Sequence, residues 1–203
     1  MDTTKVYNQI VSVYTTENED REHMKQDIKK FASFMPQSAK VIDLGCGVGY
    51  DSRDLKALRS DLQITGIDNS EEMLKQFSKI TDGIPTENQD MMSVSFDEET
   101  VNGVWMNASL LHITKDEGRE LLDRILTWLK PGGYLYLQLK KGEGEKEVPA
   151  SKYGREHLSR FYSFYTEEEL KEILSGIGYV VVSIETEDRR SETWMKVFVQ
   201  KPI

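Results

Sequence analysis

Three glycines within five positions, Gly45-Cys46-Gly47-Val48-Gly49, follow directly on the apolar run Val41-Ile42-Asp43-Leu44. A glycine-rich turn between a strand and a helix bends the backbone tightly and leaves no Cβ to keep a ligand away. The N–H groups that open the next helix then favour an anionic group. The spacing is G-x-G-x-G, with Asp43 two residues ahead of the first glycine, which differs from the G-x-G-x-x-G of dinucleotide sites. Taken alone, the glycines are weak evidence, and a tight structural turn is the plain alternative. A second acid, Asp68, closes the next apolar run in Gly66-Ile67-Asp68-Asn69-Ser70. A carboxylate there can accept two hydrogen bonds from a ribose diol, each charged bond worth about 1.5–3 kcal/mol. Asp68 also reads as a helix N-cap, a role that Ser70 can fill as well.

Proton transfer has one main candidate. His112 follows Asn107-Ala108-Ser109-Leu110-Leu111, just past a strand end where open α/β sheets present ligands, and histidine is the commonest general base. A packed or hydrogen-bonded histidine is the plain alternative. His23, placed among charges on an expected surface helix, and His157 have weaker cases. Arg155, Arg160, Phe161, Tyr162 and Tyr165 lie in one segment and are expected to form a lid over an acceptor. An arginine fork holds a carboxylate in two parallel bonds, which suits an acidic small molecule. A solvated charged loop anchored by its aromatics is the alternative. Arg189, Arg190 and Trp194 are further, weaker candidates.

The elements that must position these groups alternate. Tyr7, Ile10, Val11 and Tyr14 share one helical face, and a second helix is expected from about Arg21 to Phe34, ending before Pro36. Strand Val41–Leu44 leads to helix Ser52–Leu58, strand Gln63–Ile67 to helix Ser70–Ile80, and a short strand follows near Pro85–Gln89. Strand Val101–Met106, helix Asp116–Leu129, a tight Lys130-Pro131-Gly132-Gly133 turn and strand Tyr134–Lys140 continue the pattern. Such alternation implies a mostly parallel sheet, covered by helices on both faces. Thr166-Glu167-Glu168-Glu169 has the form of a capping box opening helix Glu167–Ser175, which ends at Gly176 and Gly178. Strands Tyr179–Glu185 and Thr193–Gln200 should pair as an antiparallel hairpin. Lys141–Tyr165 reads as a long connection, a length that usually carries function.

Composition narrows the class. The 203 residues fit one domain, and 38% apolar with 30% charged residues reads as soluble and globular. No run approaches the roughly 18 apolar residues of a membrane span, and the opening Met1-Asp2-Thr3-Thr4-Lys5-Val6 has no secretory pattern, so cytoplasm is expected. A formal charge of −9 disfavours a nucleic-acid partner, though a local basic patch stays open. Cys46 is the only cysteine, so no internal disulfide and no thiolate metal cluster is expected.

Val41-Ile42-Asp43-Leu44-Gly45-Cys46-Gly47-Val48-Gly49 resembles the first motif of class I S-adenosylmethionine-dependent methyltransferases, and Gly66-Ile67-Asp68 with Ser70 and Met73-Leu74 is similar to their second. Gln89-Asp90-Met91 resembles their adenine-binding position, and Leu129-Lys130-Pro131-Gly132-Gly133-Tyr134-Leu135 their turn into the fifth strand. The resemblance covers about Ala39 to Lys140, plus the terminal hairpin. It implies a Rossmann-like, doubly wound α/β fold with a mostly parallel seven-stranded sheet and a C-terminal antiparallel hairpin. One methyltransferase domain, 1–203, would divide into an N-terminal helical cap (1–36), a cofactor-binding core (37–140), a lid or substrate segment (141–165) and a helix with the terminal hairpin (166–203).

The resemblance also implies roles. The backbone of Gly45 and Gly47 would pass the methionine part of S-adenosyl-L-methionine, with Asp43 orienting it. Asp68 would bind the ribose hydroxyls, with Asn69 beside it among the cofactor residues. Asp90 would accept from the adenine amine, with Met91 near the ring. Asn107 would contact the methionine group, and Tyr14 would close over the cofactor. The expected product is S-adenosyl-L-homocysteine, and the expected acceptor a small molecule, methylated at N or O, with substrate contacts at Arg155, Arg160, Tyr162 and Tyr165. A non-catalytic cofactor-binding module, a methyltransferase acting on a peptide or nucleic acid, and a nicotinamide-dependent oxidoreductase are the competing readings. The glycine spacing, Asp90-Met91 and the closing hairpin speak against the last.

Overall fold

The computed structural model describes residues 3–189 and 192–203; Arg190 lies outside them, as do Met1, Asp2 and Ser191. Helix α1 (Thr3–Glu17) is followed by a 3-10 turn at Glu22–Met24 and α2 (Lys25–Phe34). Then come β1 (Lys40–Leu44), α3 (Tyr50–Leu58), β2 (Gln63–Asp68), α4 (Glu71–Ile80) and β3 (Thr86–Asn88). The chain continues through β4 (Val101–Asn107), α5 (Lys115–Trp128), β5 (Leu129–Lys140), β6 (Glu145–Ala150) and β7 (Arg155–Ser163). It ends with α6 (Glu167–Ile177), β8 (Val180–Arg189) and β9 (Glu192–Gln200).

The main sheet has seven strands in the order β3-β2-β1-β4-β5-β9-β8. The first five are parallel; β9 joins β5 antiparallel and pairs with β8 as the terminal hairpin. This is the α/β, doubly wound, mostly parallel arrangement expected from the alternation of elements. Buried side chains alternate between the two faces, as the period of a strand requires. Ile42, Leu44, Val104, Met106, Leu135 and Leu137 enter one core, against Leu121, Leu122 and Ile125 of α5 and Leu170 and Leu174 of α6. Val41, Ile64, Trp105, Tyr136 and Phe198 enter the other, against Ile28 and Phe31 of α2 and Leu55 of α3.

Local chemistry sets the helix ends. Ser70 caps α4 by accepting from Met73 N–H, so Asp68 is not needed there. Thr114 and Glu117 form a full capping box on α5, a signal not read in the sequence. Thr166 caps α6 through Glu169 N–H, and that helix runs through Gly176 to stop at Gly178. The Lys130–Gly133 turn lies within β5, as a register shift opposite Val101–Gly103.

The largest departure from expectation is Lys141–Tyr165. It holds a two-stranded antiparallel sheet, β6 with β7, around a short turn at Ser151–Tyr153. Alternating charges and Pro149 hid it, because only one face finds apolar cover: Ala150, Tyr153 and Leu158 pack against Val6 and Ile10 of α1. On its other side α1 packs against Val48, Tyr50 and Met73 around the glycine turn. Helix and hairpin therefore arch together over the C-terminal ends of the parallel strands. No helix among the described residues is long and apolar enough to cross a membrane.

Gly103 measures how closely α2 is seated on the sheet. A Cβ added there would lie 2.7 Å from Met35 Sδ and 2.8 Å from Phe31 Cζ. Gly103→Ala is expected to destabilise the chain by about 1–3 kcal/mol, the usual cost of overpacking, read as a lower urea midpoint with an unchanged slope.

Candidate functional site

Strands β1, β2 and β4 end side by side, and β1 lies between its sequence neighbour β2 and the crossover partner β4. A crevice opens at such a switch point, beyond the carboxyl ends of the strands. Gly45 is required there. Its φ is +79°, and a Cβ would lie 2.3 Å from that of Ser109, whose hydroxyl donates to the Leu44 carbonyl at 2.7 Å. Beside it, Gly47 N–H donates to Asp68 Oδ2 and Ser70 N–H to Asp68 Oδ1, both at 2.8 Å. Burial raises the Asp68 carboxyl above its ordinary value, and the two N–H donors work against that. Each oxygen keeps a lone pair for a further donor.

A cavity of about 400 Å³ lies on this crevice, lined by Gly45, Gly47, Asp68, Asn69, Asp90, Met91 and Asn107, with Tyr14 over them. The structure thus brings together eight of the nine cofactor candidates. Asn69 Nδ2 donates to Asp90 Oδ2 at 3.3 Å. The turn after Asp90 is held by Arg124, which donates to the carbonyls of Met91, Met92 and Val94. Asp43 is the exception. It lies beneath the glycine turn, 2% exposed, accepts from Ser52 Oγ at 2.6 Å and does not line the cavity. Burial and the nearby Asp51 charge push its carboxyl up to about 8.

Asn107 is held in one orientation by a residue the sequence did not single out. Asp51, in the first turn of α3, accepts from Asn107 Nδ2 at 2.6 Å, Trp105 Nε1 at 3.0 Å and Arg21 Nε at 3.0 Å. Burial alone would raise this carboxyl, but the Arg21 charge and the three donors hold it below its ordinary value. Asn107 lines the cavity and donates Nδ2 to Asp51, and its buried Oδ1 has no hydrogen-bond partner. That oxygen suits the ammonium of an amino acid, and the two Asp68 oxygens suit a diol. The fit is to a nucleoside joined to an amino acid.

A second cavity of about 580 Å³ adjoins the first. Tyr7, Tyr14, Asn107, Ala108 and His112 line both and form the partition between them. The outer walls carry Lys140, Tyr153, Arg160, Tyr162, Arg189 and Trp194. Of the four substrate candidates, Arg160 and Tyr162 face this space. Arg155, exposed at the start of β7, lines neither cavity. Tyr165 is buried in the core beneath α5, close to Gly118. Its segment turned it inward because β7 ends at Ser163 and the chain dives back to the sheet edge at Lys141. His23 is half-buried on the second cavity rather than on a surface helix, whereas His157 is exposed. Tyr7 shares the helical face of Tyr14, which was the one signal that could have marked it.

His112 stands in the partition with both ring nitrogens engaged. A carbonyl oxygen only accepts, so Nδ1 carries the proton and donates to Phe161 O at 2.8 Å. Nε2 then accepts from Tyr7 O–H at 2.8 Å. Burial pushes the imidazole down to about 3, with the Arg160 and Lys140 charges adding to the effect. In this geometry His112 has no free lone pair for an acceptor's proton.

A family profile described as "Methyltransferase domain" matches residues 41–133. The chain is 27% identical over 185 residues to a carboxy-S-adenosyl-L-methionine synthase of Erwinia tasmaniensis, an alignment covering 81% of this chain and 74% of that protein. It is 29% identical over 111 residues to a trans-aconitate 2-methyltransferase of Variovorax paradoxus, covering 55% of this chain and 42% of that one. In fold it resembles the Burkholderia thailandensis 1,6-didemethyltoxoflavin-N1-methyltransferase, solved with 1,6-didemethyltoxoflavin and S-adenosylhomocysteine, with a TM-score of 0.72 at 18% identity over 100% of this chain and 92% of that one.

The seating of His112 sets a pH dependence. Above the ordinary histidine value of 6.5, neither the folded nor the unfolded chain holds its proton; below it the unfolded side chain takes one up, while the folded one does not until about 3. Stability therefore falls with falling pH across that window, by at most about 1.4 kcal/mol per pH unit from this group. His23, pushed down to about 4 by burial and by the Arg189 and Arg21 charges, acts in the same direction. His112→Asn is expected to flatten, though not abolish, the decline of urea midpoints measured between about pH 7 and pH 4. A slope identical to that of the unsubstituted chain would show that His112 is not held neutral.

Proposed function

We propose that the chain is a class I S-adenosylmethionine-dependent methyltransferase that moves the methyl group of that cofactor to a nitrogen or oxygen of a small molecule. The observation that carries this reading is the partition: two adjoining cavities share Tyr7, Tyr14, Asn107, Ala108 and His112. The acceptors of one cavity, Asp68, Asp90 and Asn107, support the reading of a nucleoside and an amino acid there. The other, about 580 Å³, falls within the usual roughly 300–1,000 Å³ of a small-molecule site.

The bound cofactor supplies a sulfonium methyl that is already electrophilic. The chain's own contribution is placement. Asp68 takes the ribose hydroxyls, and Asp90, Asn69 and Met91 border the adenine end. Asn107, fixed by Asp51, takes the ammonium, and Tyr14 lies across the glycine turn. The segments 1–36 and 141–165 act as the cover and 37–140 as the cofactor-binding core. Alignment of the reacting groups, with water kept out beneath α1 and the β6–β7 hairpin, can supply about 7–11 kcal/mol of the lowering of the barrier. Ala108 has the smallest side chain of the partition and a φ of +55°. Non-glycine residues in that region cluster at functional sites. The related trans-aconitate and didemethyltoxoflavin enzymes, whose names specify small acceptors, support the choice of a small molecule.

Calorimetry with S-adenosylmethionine and S-adenosylhomocysteine tests the cofactor half. Both are expected to bind, and Asp68→Ala to weaken both by about tenfold or more, the value of one charged hydrogen bond. No binding of either at high concentration would defeat the proposal, and unchanged affinity in the variant would remove Asp68 from the ribose.

A further inference from the structure

Arg160 is one of several cations on the second cavity. Arg21 is paired with Asp51 and Lys140 with Glu192, the latter at 2.5 Å. Arg160 is 7% exposed and, among the described residues, meets no carboxylate; its Nε has no hydrogen-bond partner. The rings of Tyr153, Tyr162 and Tyr7 lie 5.0, 5.3 and 5.6 Å from the guanidinium. Such rings ease the burial of a cation without supplying the acceptor oxygens that its N–H groups require. Among the described residues, the guanidinium's one hydrogen bond leads to the partition: Nη1 donates to Tyr7 O–H at 3.2 Å, and Tyr7 donates to His112. An anion seated on the free edge of Arg160 therefore lies next to the wall the methyl group must cross.

Among the described residues, the same wall offers no free base. Both His112 nitrogens are engaged, Glu192 holds Lys140, and the remaining acids on the cavity, Glu17 and Asp20, are exposed at its α1 side. An amine that arrives protonated, or an alcohol, has to lose a proton to become a nucleophile. A carboxylate is deprotonated at neutral pH and needs none.

Resting on the methyl-transfer reading above, we propose that the acceptor is a small carboxylic acid, bound through its carboxylate to Arg160 and methylated on that carboxylate. One carboxylate oxygen gives a lone pair to the methyl carbon of S-adenosylmethionine. The carbon–sulfur bond breaks with its electron pair left on sulfur, and the products are a methyl ester and the neutral thioether S-adenosylhomocysteine. No proton moves. The ester has lost the charge that held it to Arg160, which favours its release.

The test uses the full chain saturated with S-adenosylhomocysteine and titrated calorimetrically with benzoate, cinnamate and fumarate, and separately with benzamide, cinnamamide and fumaramide. At least one acid is expected to bind saturably, with its amide weaker by about tenfold or more, and Arg160→Gln to lose a similar factor. Arg160→Lys is expected to retain part of the affinity, and both variants to keep binding S-adenosylhomocysteine, which reports on their fold. With methyl-labelled S-adenosylmethionine, the tightest acid is expected to yield a label that mild alkali releases as methanol. The proposal is overturned if no acid binds, if the amides bind as well as the acids, if Arg160→Gln binds them undiminished, or if the label is absent or resists alkali. Failure of S-adenosylhomocysteine itself to bind the unsubstituted chain would instead strike the methyl-transfer reading, so the two failures are told apart.

Discussion

One buried carboxylate ties the parts of this molecule together. Asp51 begins α3, where the N-terminal end of the helix dipole favours negative charge. It receives Arg21 from the link between α1 and α2, Trp105 from the middle of the sheet and Asn107 from the end of β4. A buried charge of this kind is tolerated only when its lone pairs are satisfied and a counter-charge is close. That requirement couples the seating of the N-terminal cover to the orientation of the Asn107 amide on the cavity. Loss of the carboxylate would leave Arg21 buried without its partner and Asn107 free to turn.

The cover itself is bound by a few bonds of modest strength. Ser70 Oγ donates to Asn8 Oδ1 at 2.7 Å, and Tyr50 O–H donates to the Thr15 carbonyl at 3.0 Å. The rest is apolar packing of Val6 and Ile10 on the hairpin and of Tyr7, Val11 and Tyr14 on the glycine turn. The two tyrosines of the partition combine a broad apolar body with a polar tip. Tyr7 meets Tyr14 edge-on at 5.7 Å and His112 at 5.4 Å, which makes the wall a stack of rings rather than a row of flexible chains.

The parallel half of the sheet was legible because its strands carry apolar runs and its helices carry caps, both local signals. Asp68, Asp90 and the glycines were legible for the same reason: each sits at a fixed offset from a strand end. The hairpin β6–β7 was not, since its strands are charged on the outer face and gain their apolar cover from α1, more than a hundred residues earlier in the chain. The pairing of Arg21 with Asp51, thirty residues apart, left no local trace either. His112 was found by its place after β4, but the carbonyl and the hydroxyl that occupy it come from β7 and α1. Arg155 and Arg160 look alike in sequence. A register shift between Pro149 and Ala150 leaves Arg155 paired beside the turn, while Arg160 pairs with Val148 deeper under α1.

The partition shared by the two cavities bears on how such a protein can diversify. Five side chains line both cavities at once, so a change among them alters the shape of one together with that of the other. The outer walls are free of that double duty. Tyr153, Arg160 and Tyr162 come from the β6–β7 hairpin, Arg189 and Trp194 from the terminal one. New acceptors are accordingly most accessible to mutation in these two hairpins, while the shared rings stay under the joint constraint of both tenants.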